Sequence, residues 1–350
     1  MNTSSALIDA IALSLLHFLW QGAAIAALAG TLMLVVRRPA TRYLVGVGAL
    51  VLMLVSFGTT VLLLSGGDTA NEFTARAPAA ALASPKVATV TSLSMLWTSQ
   101  AANSSDAFVW MARAWFAGVF VFALRIVFGL IAIGRLRRRS LVALPPSLIA
   151  RFEALQARLG IDRVIRYCQC DGVSVPAVIG VFRPIVLLPL RALTGLSAEQ
   201  IEAVVAHELG HIQRFDVAVN FLQVVAETLL FFHPAVWWLN KRIRAHREDC
   251  CDDVAVAACG NRVTYARALA AVEAWREAPH FAMAATGGTV AARVARLLGV
   301  SRGERGERAT RAIAAMLVLA TALALSRTWI GLLPPLVPLT VPPSSTRSKL

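Results

Sequence analysis

Residues 204–214 read Val-Val-Ala-His-Glu-Leu-Gly-His-Ile-Gln-Arg. On a helix, His207 and His211 lie one turn apart on the same face, so both imidazoles can bind a single ion. Glu208 stands beside the first histidine, where its carboxylate can take a proton from a water on that ion. The pattern predicts a zinc centre with Glu208 as its catalytic base. The same residues also fit two histidines on a solvated helix face.

Two features favour a helix for this stretch. Ser197 and Gln200 match a capping box, which predicts that a helix begins just upstream. Apolar residues flank the histidines on both sides. We therefore expect a capped, partly buried helix that presents His207 and His211 together.

Catalytic zinc usually has three protein ligands and a water, so the two histidines leave one ligand to be found. Segment 244–253 reads Arg-Ala-His-Arg-Glu-Asp-Cys-Cys-Asp-Asp. Glu248 and Asp252 are four residues apart and share a helical face. We predict Glu248 as a zinc ligand and Asp252 behind the site, where it holds a ligand histidine in its tautomer. Spacing leaves other candidates open in this segment: His246, Asp249, Cys250, Cys251 and Asp253.

The composition indicates a membrane protein. Hydrophobic residues make up 57% of the chain and charged residues 15%, with a mean hydropathy of +0.65. Soluble domains have about 45–50% apolar and about 25% charged residues. The formal net charge of +14 could suggest nucleic acid, but Lys and Arg crowd near the ends of apolar runs. That placement favours contact with membrane lipid over direct binding of nucleic acid.

Three apolar runs, 10–36, 43–65 and 108–134, predict transmembrane helices in a membrane domain that covers 1–135. The positive-inside rule places the arginines that follow the first and third runs in the cytoplasm. The stretch 66–107, rich in Ala, Ser and Thr, is then an external loop. These arginines are Arg37, Arg38, Arg42, Arg135, Arg137, Arg138 and Arg139.

The rest of the chain predicts a cytoplasmic domain over 136–308. Residues 309–350 are expected to hold a fourth, shorter transmembrane helix and a Pro-rich external tail. The fold class is therefore mainly α, with about four spans and an α+β domain that carries the metal site. These patterns predict a protein that crosses a membrane several times, with its catalytic domain in the cytoplasm.

Segment 217–239 is predicted to associate with the membrane. Asp216, Asn220, Gln223 and Glu227 share one helical face, which indicates an amphipathic helix with its polar stripe on the catalytic domain. A hairpin that dips into the bilayer and breaks at Pro234 is the alternative. Within the third span, Arg125 is either a functional group or a hydrogen-bond partner of a neighbouring helix.

A short strand region precedes the metal-site helix. Val178, Ile179 and Gly180 could form an exposed edge, to which a peptide substrate adds as an extra strand. Gly180 would allow the peptide backbone to approach. An ordinary core strand fits the same residues.

Several stretches together resemble the BlaR/MecR antirepressor group of integral-membrane metallopeptidases. They are His207 to His211 with Arg214, Asp216 and Asn220; Phe-Phe-His-Pro-Ala-Val-Trp-Trp at 231–238; Arg247-Glu248 with Cys251-Asp252-Asp253; and Leu-Trp-Gln-Gly at 19–22. The resemblance implies a gluzincin-like zinc domain in which Glu248 is the third ligand. It also places Asp216 with Asp252 among the groups that support the ligands.

The resemblance implies that an extracellular signal is relayed, often by self-cleavage, to the loss of a cytoplasmic repressor and the expression of antibiotic-resistance genes. A winged-helix transcriptional repressor is then the expected protein substrate. The best-known members carry a penicillin-binding sensor, and no Ser-x-x-Lys motif occurs in the tail here, so we do not expect direct β-lactam sensing. The same chemistry would also fit a housekeeping quality-control protease, and an inactive zinc helix would fit a receptor or scaffold. Tyr265 or a nearby histidine is left open as the group that stabilises the oxyanion.

Overall fold

The computed structural model describes residues 3–65, 91–138, 141–275 and 283–300, with the isolated positions 316 and 320. The helices are α1 (Thr3–Val35), α2 (Pro39–Ser65), α3 (Thr91–Arg138), α4 (Pro146–Arg158), α5 (Leu190–Gly195), α6 (Ala198–Gln213), α7 (Asp216–Leu229), α8 (Pro234–Cys259), α9 (Arg262–Ala274) and α10 (Met283–Leu297). The strands are β1 (Val142–Ala143), β2 (Arg166–Gln169), β3 (Ala177–Ile179) and β4 (Ile185–Leu188). The protein is thus mainly helical, as the sequence predicts.

Three helical stretches are long and apolar enough to cross a membrane. They are Leu7–Val35, Pro39–Ser65 and Asp106–Arg138. Each agrees with a predicted span to within about one helical turn. The predicted fourth span and tail, 309–350, lie outside the described residues apart from two isolated positions.

The last part of segment 66–107 is helical and not an irregular loop, because α3 already begins at Thr91; its external position stays a prediction. No Gly or Pro interrupts residues 91–107, and Ala, Leu and Met in this stretch are good helix formers. The low charge and the Ser and Thr content concealed this helical extension. Residues 66–90 lie outside the described residues.

The strands form one four-stranded sheet in the order β1-β2-β4-β3. β2 and β4 run parallel, whereas β1–β2 and β3–β4 are antiparallel. All residues of β4 are buried, which fits its central position. β3 pairs with β4 on one side, so its other side is an edge of the sheet.

Segment 217–239 is not one amphipathic helix but parts of two. α7 ends at Leu229, and α8 begins at Pro234 after His233 adopts an extended conformation. Proline has no N–H and disfavours helical backbone in the residue before it, so the break falls where the alternative prediction placed it. α7 and α8 therefore form a helical hairpin.

The polar stripe of α7 is divided: Asp216 contacts His211 of α6, on the side that the sequence predicts, whereas Gln223 and Glu227 face α8. Gln223 and Glu227 are buried and hydrogen bond to Asn240 of α8. Arg244, also on α8, donates to Glu227 at 2.6 Å, and Arg125 of α3 lies 3.6 Å from the same carboxylate. Burial of the carboxylate between two helices requires such partners, which explains the polar spacing within an apolar segment.

The tip of this hairpin contacts the membrane-type helices. His233 donates through Nε2 to the carbonyl of Leu19 at 3.0 Å, and a Cβ at Gly22 would lie 2.8 Å from that nitrogen. Trp115 donates to the carbonyl of Leu229 at 2.9 Å. Only glycine at position 22 permits this close approach.

Two hydrophobic cores meet along α8. One core joins the sheet with α4, α6 and α9, and the other joins α1 and α2 with the α7–α8 hairpin. Ile243 and Cys250 of α8 belong to the second core, whereas Ala255 belongs to the first. The segment predicted to supply the third ligand therefore lies where the two cores adjoin.

Candidate metal centre

α6 presents the sequence-predicted pair. Its N-terminus is held by the capping box that the sequence predicts, with both the Ser197 and the Gln200 side-chain bonds formed. His207 and His211 lie on one face, with ring centroids 4.9 Å apart. Glu208, the residue between them that we predicted as the base, is 8% exposed and lines the same cleft.

α8 brings Glu248 to the histidines. One ligand atom from each of His207, His211 and Glu248 can be chosen so that all three lie within 4.8 Å of one another. The Nε2 atom of His207 is 3.5 Å from Oε2 of Glu248. The fold thus brings His207 and His211 of α6 together with Glu248 of α8.

The competing residues of segment 244–253 have other partners. His246 lies 3.5 Å from Asp249. Arg296 of α10 contacts both Asp249 and Asp253, at 3.0 and 2.7 Å. Glu248 is the acidic residue of this segment that has a ligand atom within 4.8 Å of ligand atoms of both histidines.

His207 is oriented by Tyr265 of α9. The Tyr265 hydroxyl donates to Asp252 at 2.6 Å and lies 2.9 Å from Nδ1 of His207. A carboxylate only accepts hydrogen bonds, so the single phenolic proton belongs to Asp252 and His207 must donate from Nδ1. Nε2 is then the nitrogen that can bind a metal, once its own proton is released. Asp252 itself is 3.4 Å from Nδ1, so it acts mainly through Tyr265.

The hydrogen bond of Tyr265 decides whether it can stabilise the oxyanion that forms when a peptide carbonyl is attacked. The sequence left Tyr265 open as an oxyanion stabiliser, but its proton is directed at Asp252 and its side chain is buried. It therefore has no proton to donate into the cleft in this state.

His211 is oriented by a different carboxylate. Nδ1 of His211 lies 2.8 Å from Oδ2 of Asp216, the first residue of α7. Oδ1 of Asp216 accepts from the hydroxyl of Tyr43 on α2 at 2.6 Å. The bond to Asp216 leaves Nε2 of His211 to face the cleft, as a ligand role requires.

A thiol completes the surroundings of His211. Cys251 Sγ lies 3.3 Å from Nδ1 of His211 and 3.6 Å from Asp216. Burial raises the pKa of Cys251 well above its usual value, and the neighbouring Asp216 raises it further. Without a metal, the sulfur is therefore a neutral thiol that packs beside the ring.

Charge is distributed unevenly across the site. Burial alone would lower the pKa of His207, but hydrogen bonds with Asp252 and Glu248 raise it to about 9. Burial acts to raise the pKa of Glu248 and of Asp252, yet contact with His207 and Arg293 outweighs it and both pKa values lie well below their usual range. Both carboxylates are thus anionic at neutral pH, the state in which they can bind a cation or support its ligands.

Two contributors to the site were missed from the sequence. Arg293 of α10 forms a two-pronged bond with Asp252, at 2.6 and 3.0 Å, and lies 3.4 Å from Glu248. Tyr43 was missed because it lies in an apolar run that predicts only a membrane span. Neither residue carries a local sequence signal, since each meets its partner from a distant segment.

A cleft of about 390 Å³ opens over these residues. The edge strand β3 borders it through Val178 and Ile179, followed by Gly180. Gly180 has φ +91°, which favours glycine, and the Arg137 guanidinium lies where its Cβ would be. The three residues predicted as an exposed edge therefore lie beside His207 and Glu208, although Arg137 covers part of Gly180.

Comparison with known proteins gives this geometry its context. The sequence model described as BlaR1 peptidase M56 matches residues 17–297, well over half of the chain. The chain belongs to the BlaR1 peptidase M56 family. The resemblance read from the motifs is thereby confirmed.

Individual relatives cover less of the chain. It is 25% identical to the regulatory protein BlaR1 of Bacillus licheniformis over 138 residues, which are 39% of this chain and 23% of that protein. It is 29% identical to the methicillin resistance mecR1 proteins of Staphylococcus aureus and Staphylococcus epidermidis over 82 residues, 23% of this chain and 14% of each. The chain therefore matches less than a quarter of the length of these relatives.

Proposed function

We propose that this protein is an integral-membrane zinc metalloendopeptidase of the bacterial inner membrane that hydrolyses peptide bonds on the cytoplasmic side. The observation that carries the proposal is the convergence of His207, His211 and Glu248 in one cleft, with Glu208 beside them. Membership of a peptidase family supports the reaction class. The alternative of a non-catalytic scaffold gains no specific support from the site.

The residues present fit a zinc ion. Two ligand atoms each about 2.1 Å from a tetrahedral zinc lie about 3.4 Å apart. The separation of 3.5 Å between Nε2 of His207 and Oε2 of Glu248 agrees with that spacing. Two imidazoles and one carboxylate are also the ligand set of known catalytic zinc sites, which leave one position for water.

The chain's own residues supply positioning and proton transfer. A zinc ion held there would polarise the scissile carbonyl and make a water acidic at neutral pH. Glu208 takes a proton from the attacking water, whose oxygen bonds to the carbonyl carbon. Glu208 then delivers that proton to the amide nitrogen as the carbon–nitrogen bond breaks, so the products are an amine and a carboxylic acid, which retains the second water proton until it ionises.

The edge strand offers a way to hold the substrate. An extended peptide can pair with β3 through backbone hydrogen bonds and so lie along the cleft. Its side chains would alternate between the cleft wall and solvent. We propose Val178 and Ile179 as the pairing positions, with Gly180 at the end where Arg137 must move aside.

The proposed topology follows the charges. Residues 1–135 form the membrane domain, 136–308 the cytoplasmic peptidase domain, and 309–350 a fourth span with an external tail. Arg37, Arg38 and Arg42 after α1, and the arginines that end α3, face the cytoplasm under the positive-inside rule. The α7–α8 hairpin connects the two parts, because its tip contacts the membrane-type helices and its base carries Glu248.

The biological role is proposed from the relatives. Their names describe a regulatory protein and methicillin resistance proteins. We propose that this chain likewise transduces a signal, and that its protein substrate is a transcriptional repressor of the winged-helix type or the chain itself. Quality control of membrane proteins remains the other outcome of the substrate test below.

The central experiment compares Glu208→Gln with the wild-type chain in lipid nanodiscs. Glutamine retains the shape of the side chain but cannot act as a base, so peptide cleavage should fall by about 10²- to 10⁴-fold. Bound zinc, measured by elemental analysis, should stay at one ion per chain. Glu202→Gln on the same helix is the matched control, because Glu202 pairs with Arg151 outside the cleft and should cleave normally.

Two results would overturn the proposal: a wild-type chain without zinc, or a Glu208→Gln chain that still cleaves. The substrate is tested by co-expression of the chain with a winged-helix repressor. Loss of the intact repressor with wild type but not with Glu208→Gln would support signalling. Cleavage of unrelated damaged membrane proteins with the repressor left intact would support quality control.

A further inference from the structure

The hydrogen-bond chain behind His211 crosses from the metal centre to a membrane-type helix. We propose that Tyr43 of α2 is a positioning residue for the metal, which acts through Asp216 on His211. The inference rests on the proposed function and extends it, because it assigns part of the metal-site support to a candidate span, Pro39–Ser65.

Both hydrogen bonds of this chain are short, and both are buried. The Tyr43 hydroxyl donates to Oδ1 of Asp216 at 2.6 Å, and Oδ2 of the same carboxylate lies 2.8 Å from Nδ1 of His211. Tyr43 and Asp216 are each 3% exposed, so water does not readily replace either bond. A carboxylate that is bonded at both oxygens cannot rotate, and it fixes the plane of the imidazole.

Arg214, which lies next to Tyr43, does not replace the hydrogen bond from Tyr43 to Asp216. The Arg214 guanidinium lies over the Tyr43 ring at 4.5 Å, and its Nε is 4.0 Å from Oδ1 of Asp216. That Nε is buried and forms no hydrogen bond with any residue in the described part of the chain. Without the Tyr43 hydroxyl, Asp216 can turn toward Arg214 and draw its other oxygen away from His211.

Tyr43 also ties this contact to the packing of the span. It belongs to the hydrophobic core that joins α1 and α2 with α8. A displacement of α2 relative to α6 would therefore change the Tyr43–Asp216 distance and with it the orientation of His211. The metal centre is thus built from the domain and the span together.

The test removes one oxygen atom. In the full chain in nanodiscs, Tyr43→Phe retains the ring and its contact with Arg214 but loses the hydroxyl. We expect zinc transfer to a chromophoric chelator to become about tenfold faster, the lower end of the range for groups that support metal ligands. The visible spectrum of the Co²⁺-loaded chain should also change, which reports on ligand geometry independently of activity.

Tyr167→Phe is the matched control. Tyr167 is equally buried, and its hydroxyl bonds Gln156 away from the metal residues. This variant should release zinc at the wild-type rate with an unchanged Co²⁺ spectrum, even where its melting temperature falls. A similar acceleration in both variants would show a general loss of stability and would overturn the proposal.

A double-mutant cycle with Asp216→Asn tests the route. If Tyr43 acts through Asp216, the double variant should release zinc at the same rate as Asp216→Asn alone. Fully additive effects would overturn the proposed route, as would a wild-type release rate in Tyr43→Phe alone. Both outcomes leave the enzyme proposal intact if the wild-type chain binds zinc, whereas absence of zinc from wild type would refute the proposed function itself.

Discussion

His207 and His211 lie one turn apart on α6, yet the groups that orient them come from different parts of the molecule. His207 is held by a domain arm, defined as Tyr265, Asp252 and Arg293, all from helices beyond α6. His211 is held by a span arm, defined as Asp216 and Tyr43, of which Tyr43 lies on a candidate membrane helix. The geometry of this candidate metal site therefore depends on the packing of two cores.

The two arms also differ in charge. In the domain arm, buried Asp252 lies within ion-pair distance of both Arg293 and Arg296. In the span arm, the arginine nearest to Asp216 is 4.0 Å away, and the short bond comes from a neutral phenol. Removal of one partner of a buried ion pair lowers the free energy of unfolding strongly, because the other charge stays buried and unpaired. Removal of a neutral hydroxyl costs less and leaves its acceptor without that hydrogen bond. Changes in the domain arm should therefore lower mainly the free energy of unfolding. Changes in the span arm should alter mainly the orientation of His211.

Asp252→Asn should have the largest effect on stability. It leaves two arginines beside a buried neutral amide, and removal of one partner of a buried pair costs about 3–5 kcal/mol. Thermal or denaturant unfolding of the purified chain measures the loss. Asp253→Asn is the control, because the Asp253 side chain is 54% exposed and contacts the same Arg296; its cost should stay below about 1 kcal/mol. Equal losses in the two variants would contradict the difference between the arms.

Glu227→Gln tests how the hairpin supports the span arm. Glu227 is 1% exposed and contacts Arg244, Asn240 and Arg125. Glutamine retains the size but loses the charge, so the free energy of unfolding should fall by about 1.5–3 kcal/mol. Glu199→Gln, on the exposed face of α6, should change it by less than about 0.5 kcal/mol. An unchanged melting temperature in Glu227→Gln would show that the buried charge does not stabilise the hairpin.

Tyr265→Phe is the domain-arm counterpart of the change at position 43. It removes the acceptor for Nδ1 of His207, and we expect zinc affinity to fall by about tenfold. Competition with a chelator of known affinity gives the ratio to wild type. If the arms act separately, the effects of the Tyr265 and Tyr43 variants should multiply when combined. A combined effect no larger than either alone would mean that the two arms form one network.

The smallest effect is expected for Arg151→Ala. Arg151 pairs with Glu202 at 2.6 Å on the outer side of α6, with 47% of its side chain exposed. Such surface pairs contribute about 0–1 kcal/mol, and zinc affinity should not change. A large loss of zinc here would show that the metal centre responds to any disturbance of α6 and would weaken the comparison of the arms.

Much of the architecture could be predicted from residue patterns. The apolar runs located, to within about one turn, three helices that are long and apolar enough to span a membrane, because that property depends on length and composition. The capping box and the four-residue spacing located α6 and placed its histidines on one face. The contacts of segment 217–239 were harder to predict, because its polar side chains fit either a domain surface or a neighbouring helix. The stripe in fact does both: Asp216 contacts His211, and Gln223 and Glu227 face α8, where Asn240 and Arg244 complete their hydrogen bonds.

The sequence by itself determined the local elements of this protein: three helices long and apolar enough to span a membrane, and the helix that carries His207 and His211 on one face. These depend on spacing along one backbone segment, which the order of residues sets directly. Only the tertiary structure decided that Arg293 meets Asp252 across 41 positions and that Tyr43 meets Asp216 across 173. Such contacts depend on how two separately packed cores adjoin along α8, and no periodicity within either segment encodes that placement.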